Sequence, residues 1–254
     1  MAKIIAVANQ KGGVGKTTTA VNLSSALAQK KKRVLVIDAD PQGNTTSGLG
    51  LDKNDVENTV YDVLVNEVSI KDAMYNLAYF DMKMVPSNIN LTGAEIELVG
   101  ENGREYKIKN ALKEVQADFD FIIIDCPPSL GIVTLNVLSA ADSVLIPVQC
   151  EYYALEGIAQ LTNTINLVKN AYNPSLEIEG VLMTMFNGRT NLSIQVVEEI
   201  KKYFGKKVYK TLIPRNVRLS EAPGFGEPIN VFDKNSTGAM AYEKLSVEVL
   251  ENNR

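Results

Sequence analysis

The sequence predicts an α/β fold: a doubly wound, mostly parallel sheet with helices on both faces. Three observations support this. Short apolar runs alternate with longer helical patterns along most of the 254 residues, which is the order of βαβ units. Several runs are continuous stretches of Val, Ile and Leu, as expected for strands that are buried on both faces. A glycine-rich turn directly follows the first run and precedes the first helical pattern.

The apolar runs predict strands at residues 4–8, 34–38, 82–85, 121–125, 143–147, 180–186 and 208–213. The helical patterns predict helices at 17–30, 105–117, 132–139, 155–171, 193–204 and 239–250. Residues 44–80 are less regular, with weak helical patterns at 60–65 and 70–77, and form either an insertion packed beside a functional site or a surface loop. No repeat, low-complexity segment or Pro/Gly-rich linker interrupts the chain, so we expect one domain over 1–254.

The composition excludes several kinds of chemistry. With no histidine, the chain lacks a Ser-His-Asp triad, His-ligated zinc and an imidazole base. Cys126 and Cys150 are too few for a disulfide framework. Carboxylates, lysines, hydroxyls and an oxygen-bound divalent cation remain, and phosphoryl transfer uses these groups. No apolar run reaches about 18 residues, and the first strand starts near the N-terminus, so we expect a cytoplasmic protein without a membrane span or signal peptide.

Residues 11–18 read Lys-Gly-Gly-Val-Gly-Lys-Thr-Thr and follow the first predicted strand. Glycines let backbone amides face inward around phosphate oxygens, and the following helix presents its positive N-terminus to them. In the pattern G-x-x-x-x-G-K-[ST], Lys16 reaches the β- and γ-phosphates and the Thr17 hydroxyl ligates Mg²⁺. The chain departs from the pattern at Gln10, where the first glycine belongs, and carries an additional lysine, Lys11. The motif predicts a nucleotide-binding site.

Acidic residues stand at the ends of two predicted strands. Asp125 ends the run 121–125, where a carboxylate beside a phosphate loop suits a Mg²⁺ ligand acting through water, although helix capping is an alternative. Cys126 follows Asp125, at the position where many ATPases with a phosphate-binding loop carry a catalytic glutamate. Asp38 and Asp40 are two residues apart, so both side chains can face the phosphates. A turn at Asp-Pro-Gln-Gly is the alternative explanation of that segment.

Four segments together resemble the ParA/MinD family of ATPases, and the likeness covers nearly the whole chain. They are the loop at 11–17, Val-Leu-Val-Ile-Asp-Ala-Asp-Pro-Gln-Gly-Asn at 34–44, Phe-Ile-Ile-Ile-Asp-Cys-Pro-Pro-Ser-Leu-Gly at 121–131, and residues 213–223 with Pro-Arg-Asn at 214–216. The short chromosomal ParA branch is the most similar. The resemblance implies a nucleoid-associated partitioning ATPase that uses ATP and Mg²⁺. It further implies a dimer around two ATP molecules, DNA binding without sequence preference, and slow hydrolysis stimulated by a ParB-type partner.

The resemblance also implies roles for individual residues. Lys11 reaches the ATP of the partner subunit, Asp40 positions the attacking water, and Asp38 lies near the metal. The implied catalytic residues are Lys11, Lys16 and Asp40, and the implied metal-binding residues are Thr17, Asp38 and Asp125. The implied nucleotide contacts are Lys11, Gly12, Gly13, Val14, Gly15, Lys16, Thr17, Thr18, Pro214 and Asn216. Gly12 and Gly13 then lie where two backbones meet. Asn187 also offers an amide to the adenine edge, and turn formation explains Asn187 and Asn216 equally well.

Positive charge is concentrated in residues 189–218. This segment carries 8 basic and 2 acidic side chains, hence +6, whereas the whole chain has a net charge of −4. A solvated helix face is one explanation, and contact with the phosphate backbone of DNA on one face of the protein is the other. No helix-turn-helix or aromatic stacking pattern is present, so we expect duplex binding that does not depend on sequence. By resemblance, Arg189 and Arg218 are the DNA-binding residues.

Two other functions stay open. A MinD-like membrane-cycling division regulator needs a basic amphipathic helix at its C-terminus, but residues 242–254 carry 3 glutamates against 2 basic residues. An iron–sulfur carrier or reductase would pool Cys126 and Cys150 of two subunits around one cluster.

Overall fold

The computed structural model describes residues 1–151 and 154–253. Its strands are β1 (Lys3–Val7), β2 (Val34–Asp38), β3 (Tyr75–Asn76), β4 (Met82–Val85), β5 (Phe121–Asp125), β6 (Ser143–Gln149) and β7 (Glu177–Thr184). They form one sheet in the order β3-β4-β2-β5-β1-β6-β7. Neighbouring strands are parallel except β3, which pairs with β4 in the antiparallel sense.

Helices cover both faces of this sheet. They are α1 (Lys16–Gln29), α2 (Asn44–Gly48), α3 (Val60–Leu64), α4 (Leu91–Glu97), α5 (Lys107–Leu112), α6 (Ile132–Ala140), α7 (Ala154–Ala171), α8 (Asn191–Phe204), α9 (Val217–Glu221), α10 (Ile229–Phe232) and α11 (Thr237–Asn252). Short 3₁₀ turns lie at Arg104–Tyr106, Gly205–Lys207 and Ala222–Phe225.

Alternate residues of each central strand point into two separate apolar cores. In β1, Ile4 and Ala6 belong to the core beneath α3 to α8, whereas Ile5 and Val7 belong to the core beneath α1 and α11. This division follows from the period of two along a strand. The predicted fold class, a mostly parallel sheet with helices on both faces, is confirmed.

Most predicted strands match the structure closely. β2, β4 and β5 have the predicted bounds, β1 lies one residue earlier, and β6 extends further than predicted. β7 begins at Glu177 and ends at Thr184, before the predicted end at 186. Met185 follows with a φ of 50°, a left-handed conformation that leaves the strand.

The strand predicted at 208–213 is wrong. The amides of Tyr209 and Ile213 do donate to the carbonyls of Val181 and Met183 in β7, but the pairing is limited to isolated bridges. The amides of Lys210 and Thr211 instead donate to the carboxylate of Glu248, at 2.8 and 2.7 Å. A side chain of α11 therefore takes the Thr211 amide, which lies between the two amides that reach β7, and the ladder is interrupted there.

The helix predictions are right for the long elements and less accurate for the short ones. α1, α6, α7, α8 and α11 lie at the predicted positions with ends shifted by one or two residues. The helix predicted at 105–117 is shorter, comprising the 3₁₀ turn Arg104–Tyr106 and α5. The weak pattern at 60–65 corresponds to α3, whereas 70–77 contains β3 instead of a helix. α2, α4, α9 and α10 were not predicted.

The C-terminal helix α11 packs against α1. Tyr242, Leu245 and Val249 are buried, and the Tyr242 hydroxyl lies 3.2 Å from that of Thr19. These apolar side chains are therefore part of the core and do not form a face free to enter a bilayer. Of the helices described, none combines the length and apolar character needed to cross a membrane. Arg254, the last residue of the stretch considered for a membrane anchor, lies outside the described residues.

Candidate nucleotide site

The glycine-rich loop connects β1 to α1 at the carboxyl edge of the sheet. Gly13 and Gly15 have φ values of 73° and 91°, conformations that glycine adopts without steric cost. α1 begins at Lys16, and no side chain caps its N-terminus. Its first amides therefore have no partner within the helix and can donate to an anion. The loop has the backbone geometry predicted for a phosphate cradle.

Lys16 is held inside this cradle. Its side chain is mostly buried, and its Nζ donates to the carbonyl of Lys11 at 3.3 Å. Burial lowers the pKa of Lys16, while the nearby acidic groups Asp125 and Asp40 act in the opposite direction. A buried ammonium that lacks a fully compensating carboxylate is well suited to a dense anion such as a phosphate chain.

Asp125 provides the most specific feature of the site. Its Oδ2 accepts hydrogen bonds from two hydroxyls, Thr17 Oγ1 at 2.7 Å and Thr45 Oγ1 at 2.6 Å. Its Oδ1 is buried and has no hydrogen-bond partner among the described residues. Since Thr17 uses its proton on Asp125, its oxygen lone pairs stay available to a cation.

This donor set fits Mg²⁺. The described residues contain no group of three or more acidic, Cys or His side chains placed to hold a metal. Mg²⁺ does not require such a cage, because it keeps several waters and takes few protein ligands beside substrate phosphates. Thr17 would supply a direct oxygen, and the unpartnered Oδ1 of Asp125 would accept from a metal-bound water.

Asp38 lies beside Asp125 because the two residues are paired in the register of β2 and β5. Its Oδ2 accepts from both the amide and the hydroxyl of Thr46, each at 2.8 Å, and its Oδ1 accepts from the amide of Asp40. Burial raises the pKa of both carboxyls above the ordinary range; repulsion from Asp125 adds to the effect at Asp38, and repulsion from Asp40 adds to it at Asp125. Neutralising the negative charge of these carboxylates is therefore favourable, and a bound metal cation would do so.

Asp40 is placed differently from Asp38. β2 ends at Asp38, so Asp40 belongs to the following loop, where its Oδ1 accepts from the amide of Gln42 at 2.9 Å. The oxygens of Asp38 accept from Thr46 and from the Asp40 amide. That both carboxylates face the phosphates stays a prediction. Asp40 keeps one carboxylate oxygen without a described partner and lies near Lys16 and Asp125.

Comparison with known proteins agrees with this geometry. A family model described as an AAA domain matches residues 2–178. The sporulation initiation inhibitor protein Soj of Bacillus subtilis is 59% identical over 252 residues, which cover 99% of this chain and 100% of that protein. The chromosome partitioning protein ParA of Myxococcus xanthus is 52% identical over 249 residues, 98% of this chain and 88% of that protein.

This chain belongs to the ParA/MinD family of ATPases. The resemblance noted in its sequence motifs is thereby confirmed.

Solved structures of related proteins share the fold. The cell division ATPase MinD of Pyrococcus furiosus has a TM-score of 0.82 at 26% identity, with 100% of both chains covered. A cobyrinic acid a,c-diamide synthase of Mycobacterium smegmatis, solved with bound ADP and magnesium, has a TM-score of 0.87 at 39% identity, covering 99% of this chain and 95% of that one.

The ParA/MinD fold here includes a pocket of about 240 Å³ beside the glycine-rich loop. Pro214 and Asn216 line it together with Gly15 and Thr18, so the structure brings these predicted contacts together. Sequence reasoning did not identify Met185, Ser220 and Tyr242, which also line the pocket. We call it the base pocket, after the adenine contact predicted for Pro214 and Asn216.

The two asparagines considered for base contact have different surroundings. Asn187 is not among the residues lining the pocket, and its Oδ1 accepts from the amide of Arg189 in a turn. Asn216 lines the pocket but also caps α9, since its Oδ1 accepts from the Leu219 amide and its Nδ2 donates to Thr237 at 2.6 Å. The turn interpretation is therefore confirmed for Asn187, and Asn216 serves both as a cap and as a pocket residue.

Lys11, the additional lysine of this ParA/MinD loop, is half-exposed at the rim of the site. Its Nζ lies 3.1 Å from the Glu151 carboxylate of the same chain. The neighbouring Gly12 is exposed, and a Cβ added to it would meet nothing within 4 Å. In a single subunit this edge of the loop is therefore open.

The basic side chains of 189–218 do not form one stripe. Arg189 follows the end of β7, and Arg215 lies in the segment that lines the base pocket. Lys207 lies at the other end of β7, 3.9 Å from Glu177. A strand of this length spans roughly 25 Å. The expectation of a single phosphate-contacting surface is therefore wrong for the segment as a whole, because α8 carries the chain back across the sheet.

The two proposed DNA-binding arginines also differ. Arg189 is exposed and its guanidinium has no described ion pair. Arg218 is bound to two carboxylates, Glu221 at 2.9 Å and Asp233 at 3.1 Å, and stacks over the Phe232 ring. Its charge is therefore partly neutralised within the chain.

Both cysteines are buried in the apolar core. Cys126 is fully buried and Cys150 nearly so, and burial raises the pKa of both thiols. Neither side chain lies at a surface where a second subunit could share a cluster. The structure therefore gives the iron–sulfur alternative no support.

Proposed function

We propose that this chain is a partitioning ATPase that binds ATP and Mg²⁺ in the site described above. The observation that carries the proposal is the buried Lys16 beside the hydroxyl–carboxylate contact of Thr17 and Asp125. Lys16 would bind the β- and γ-phosphates together with the free amides at the start of α1. A bound Mg²⁺ would neutralise charge that develops on those phosphates.

Hydrolysis in this site would depend on Asp40. Cys126 stands where a glutamate would orient the attacking water, and its buried thiol has a raised pKa, so it is no substitute. With the free oxygen of Asp125 assigned to metal-bound water, Asp40 is the remaining acid near Lys16 that has a carboxylate oxygen without a described partner. It would orient water for attack on the γ-phosphorus, and ADP would leave with the pair of electrons of the broken P–O bond. One acid with this limited role supports a slow intrinsic rate.

We further propose that ATP drives a symmetric homodimer. Lys11 would leave Glu151 and bind the ATP of the partner subunit, adding charge stabilisation in trans. Its present partner is solvent-exposed, and such ion pairs contribute little, about 0–1 kcal/mol. Leaving Glu151 would therefore cost Lys11 little free energy. The open edge at Gly12 is where the second backbone would approach.

The remaining parts of the proposal concern partners. The dimer would bind duplex DNA through Arg189 and Arg218, which would place the protein on the nucleoid in the cytoplasm, and a ParB-type protein would stimulate hydrolysis. The name of the Myxococcus relative, a chromosome partitioning protein, supports a role in chromosome partitioning. The whole chain, 1–254, would act as one ATPase domain. A MinD-like membrane cycle is less well supported, because the apolar side chains of α11 are packed on α1.

The decisive test separates nucleotide binding from turnover. Asp40→Ala should bind ATP and Mg²⁺ with near-normal affinity and lose hydrolysis, so that an ATP-dependent dimer accumulates on size-exclusion chromatography. Asp55→Ala is a matched control, because Asp55 is an exposed acid in the loop after α2. Wild-type turnover by Asp40→Ala would contradict the role of Asp40.

A second experiment separates the partitioning and membrane functions. Wild-type protein with ATP should shift random duplex DNA and should not sediment with anionic liposomes. The opposite pattern would replace the partitioning function with a membrane-cycling one.

A further inference from the structure

Two adjacent threonines of α2 connect the two acidic strands of the site. Thr45 donates its hydroxyl to Asp125 Oδ2 at 2.6 Å, and Thr46 donates its amide and hydroxyl to Asp38 Oδ2, each at 2.8 Å. Both threonines are fully buried. A helix of five residues thus binds the ends of β2 and β5 at once.

The loop that carries Asp40 is attached to the same helix. The Gly43 amide donates to the Asp40 carbonyl at 2.9 Å, and α2 starts directly after Gly43. Gly43 has a φ of 63°, and a Cβ there would lie 2.7 Å from the Ser87 carbonyl oxygen. The Ser87 amide in turn donates to Thr46 Oγ1 at 2.9 Å. The loop therefore has little freedom to move relative to α2.

The hydroxyl of Thr45 has a defined effect on Asp125. A hydroxyl has one proton to donate, and both Thr17 and Thr45 donate theirs to the same oxygen, Oδ2. This fixes the rotation of the carboxylate and leaves Oδ1 without a described partner. Without the Thr45 hydroxyl, Oδ2 would keep a single donor and the carboxylate could rotate.

We infer that Thr45 is a positioning residue for ATP hydrolysis. It holds Asp125 in one orientation and ties the Asp40 loop to the strand that ends at Asp125. This inference rests on the proposed ATPase function and adds a residue to it. The buried Thr45 hydroxyl is used on Asp125 and not on a phosphate-binding group, so its loss should reduce turnover more than binding.

The test is a set of variants at this position. Thr45→Val removes the hydroxyl at nearly constant shape, and Thr45→Ser keeps it. We expect Thr45→Val to lower kcat by about tenfold to about a hundredfold, the fold-change typical of losing a hydrogen bond to a charged group. The KM for ATP should change less than about threefold, and the Mg²⁺ concentration that gives half-maximal activity should rise. Thr45→Ser should restore turnover.

Controls separate this role from a general loss of packing. Thr162→Val removes a hydroxyl that bonds the Ile158 carbonyl in α7, away from the site, and should leave kcat unchanged. If Thr45→Val does not fold, as judged by thermal unfolding, Thr45→Cys replaces it, because a thiol is a weak donor. The kcat of Thr45→Cys should be lower than that of the wild type but still measurable.

The outcomes are distinguishable. Wild-type kcat and Mg²⁺ dependence in a folded Thr45→Val or Thr45→Cys protein would overturn the role of Thr45 and leave the ATPase function intact. A loss of turnover that Thr45→Ser does not restore would also overturn it, since the hydroxyl would not be the cause. If the wild type itself does not hydrolyse ATP with Mg²⁺, the proposed function is wrong and this inference is wrong with it.

Discussion

The nucleotide end of the sheet and the basic segment 189–218 are constructed in different ways. At the nucleotide end, Lys16, Asp38 and Asp125 are buried, and each is hydrogen-bonded to hydroxyls, amides or carbonyls within 3.3 Å, whereas Lys11 at the rim is half-exposed. In the basic segment, charged side chains are exposed and lie at both ends of β7. Chemistry on a phosphate requires fixed geometry, whereas attraction to a polyanion requires only positive charge on one surface. The two regions should therefore respond differently to substitution.

The largest effect should come from Lys16→Ala, which removes the buried cation of the nucleotide site. ATP affinity should fall by about a hundredfold or more, because the variant has no ammonium to donate charge-assisted hydrogen bonds to two phosphates. ATP-dependent dimerisation and DNA binding should disappear with it. Equilibrium binding of a fluorescent ATP analogue measures the effect.

A control for Lys16→Ala lies at the opposite end of the same helix. Lys30→Ala removes a lysine after the last residue of α1, where it forms a 3.6 Å surface ion pair with Glu243, and should bind ATP normally. Near-normal ATP affinity in Lys16→Ala would show that the cradle is elsewhere.

The next effect tests the open edge of the glycine-rich loop at Gly12. Gly12→Val should bind ATP as a monomer, since a Cβ at Gly12 meets nothing within its own chain. It should weaken the dimer by about 2–6 kcal/mol, because overpacking costs typically 1–3 kcal/mol and a twofold axis applies it twice. Analytical ultracentrifugation with and without ATP measures the change.

Gly224→Val is the matched control, because a Cβ at Gly224 also meets nothing within 4 Å. It should dimerise like wild type. A stable ATP-dependent dimer of Gly12→Val would place the interface on another surface.

A smaller and graded effect is expected in the basic segment. Arg189→Glu and Arg218→Glu should each weaken binding to random duplex DNA, and each phosphate interaction that is removed should reduce the log–log salt slope by about one unit. Arg189→Glu should have the larger effect, because Arg218 is already neutralised in part by Glu221 and Asp233. ATP-driven dimerisation should be unchanged in both.

Lys207→Glu makes this comparison sharper. Lys207 lies at the opposite end of β7, beside Glu177, and should affect DNA binding less than Arg189 does. Equal effects at the two positions in a titration at several salt concentrations would show that the segment acts as one surface after all.

The smallest effect concerns pH and the buried acids. The folded chain holds protons on Asp38 and Asp125 more tightly than the unfolded chain, because burial raises both pKa values. Their contribution to the free energy of unfolding is therefore greatest below about pH 4, where both groups are protonated in either state, and is lost as the pH rises towards neutrality through the raised pKa values. Urea unfolding without nucleotide or Mg²⁺ at several pH values measures this.

Asp125→Asn should flatten this part of the pH profile, since the amide does not titrate. Arg189→Glu, a change in the exposed segment, should leave its shape unaltered. An identical pH profile in wild type and Asp125→Asn would mean that the buried acids stay charged without penalty.

The same contrast explains what could be predicted from the sequence. The phosphate loop, Asp125 and the ends of β2 and β5 follow from local spacing, because a buried strand and the turn after it are encoded within about ten residues. The contacts of Thr45 and Thr46 could not be predicted, since they depend on how α2 folds back over two strands. Only the polar run Asn-Thr-Thr directly after Gly43 could have pointed to them.

The two wrong predictions, the strand at 208–213 and the single basic surface, also come from contacts that are distant in sequence. The strand predicted at 208–213 has the right apolar composition, but Glu248 binds its amides from α11, nearly forty residues later in the chain. The single basic surface was inferred from adjacency in sequence, and α8 separates its members in space. Local sequence patterns predict where a motif lies, whereas tertiary contacts decide which groups from distant parts of the chain lie beside it.

The packing of α11 on α1 has a consequence for synthesis of the protein. The base pocket is formed by residues from both ends of the chain, from Gly15 and Thr18 to Asn216 and Tyr242. A growing polypeptide on the ribosome would carry the phosphate loop early and still lack the wall of the base pocket. Full nucleotide affinity would arise only when the last helix docks, and bound nucleotide then stabilises the finished chain over any truncated one. A premature stop would produce a protein with the loop but without tight binding, and a bulky tag inserted within α11 would have the same effect.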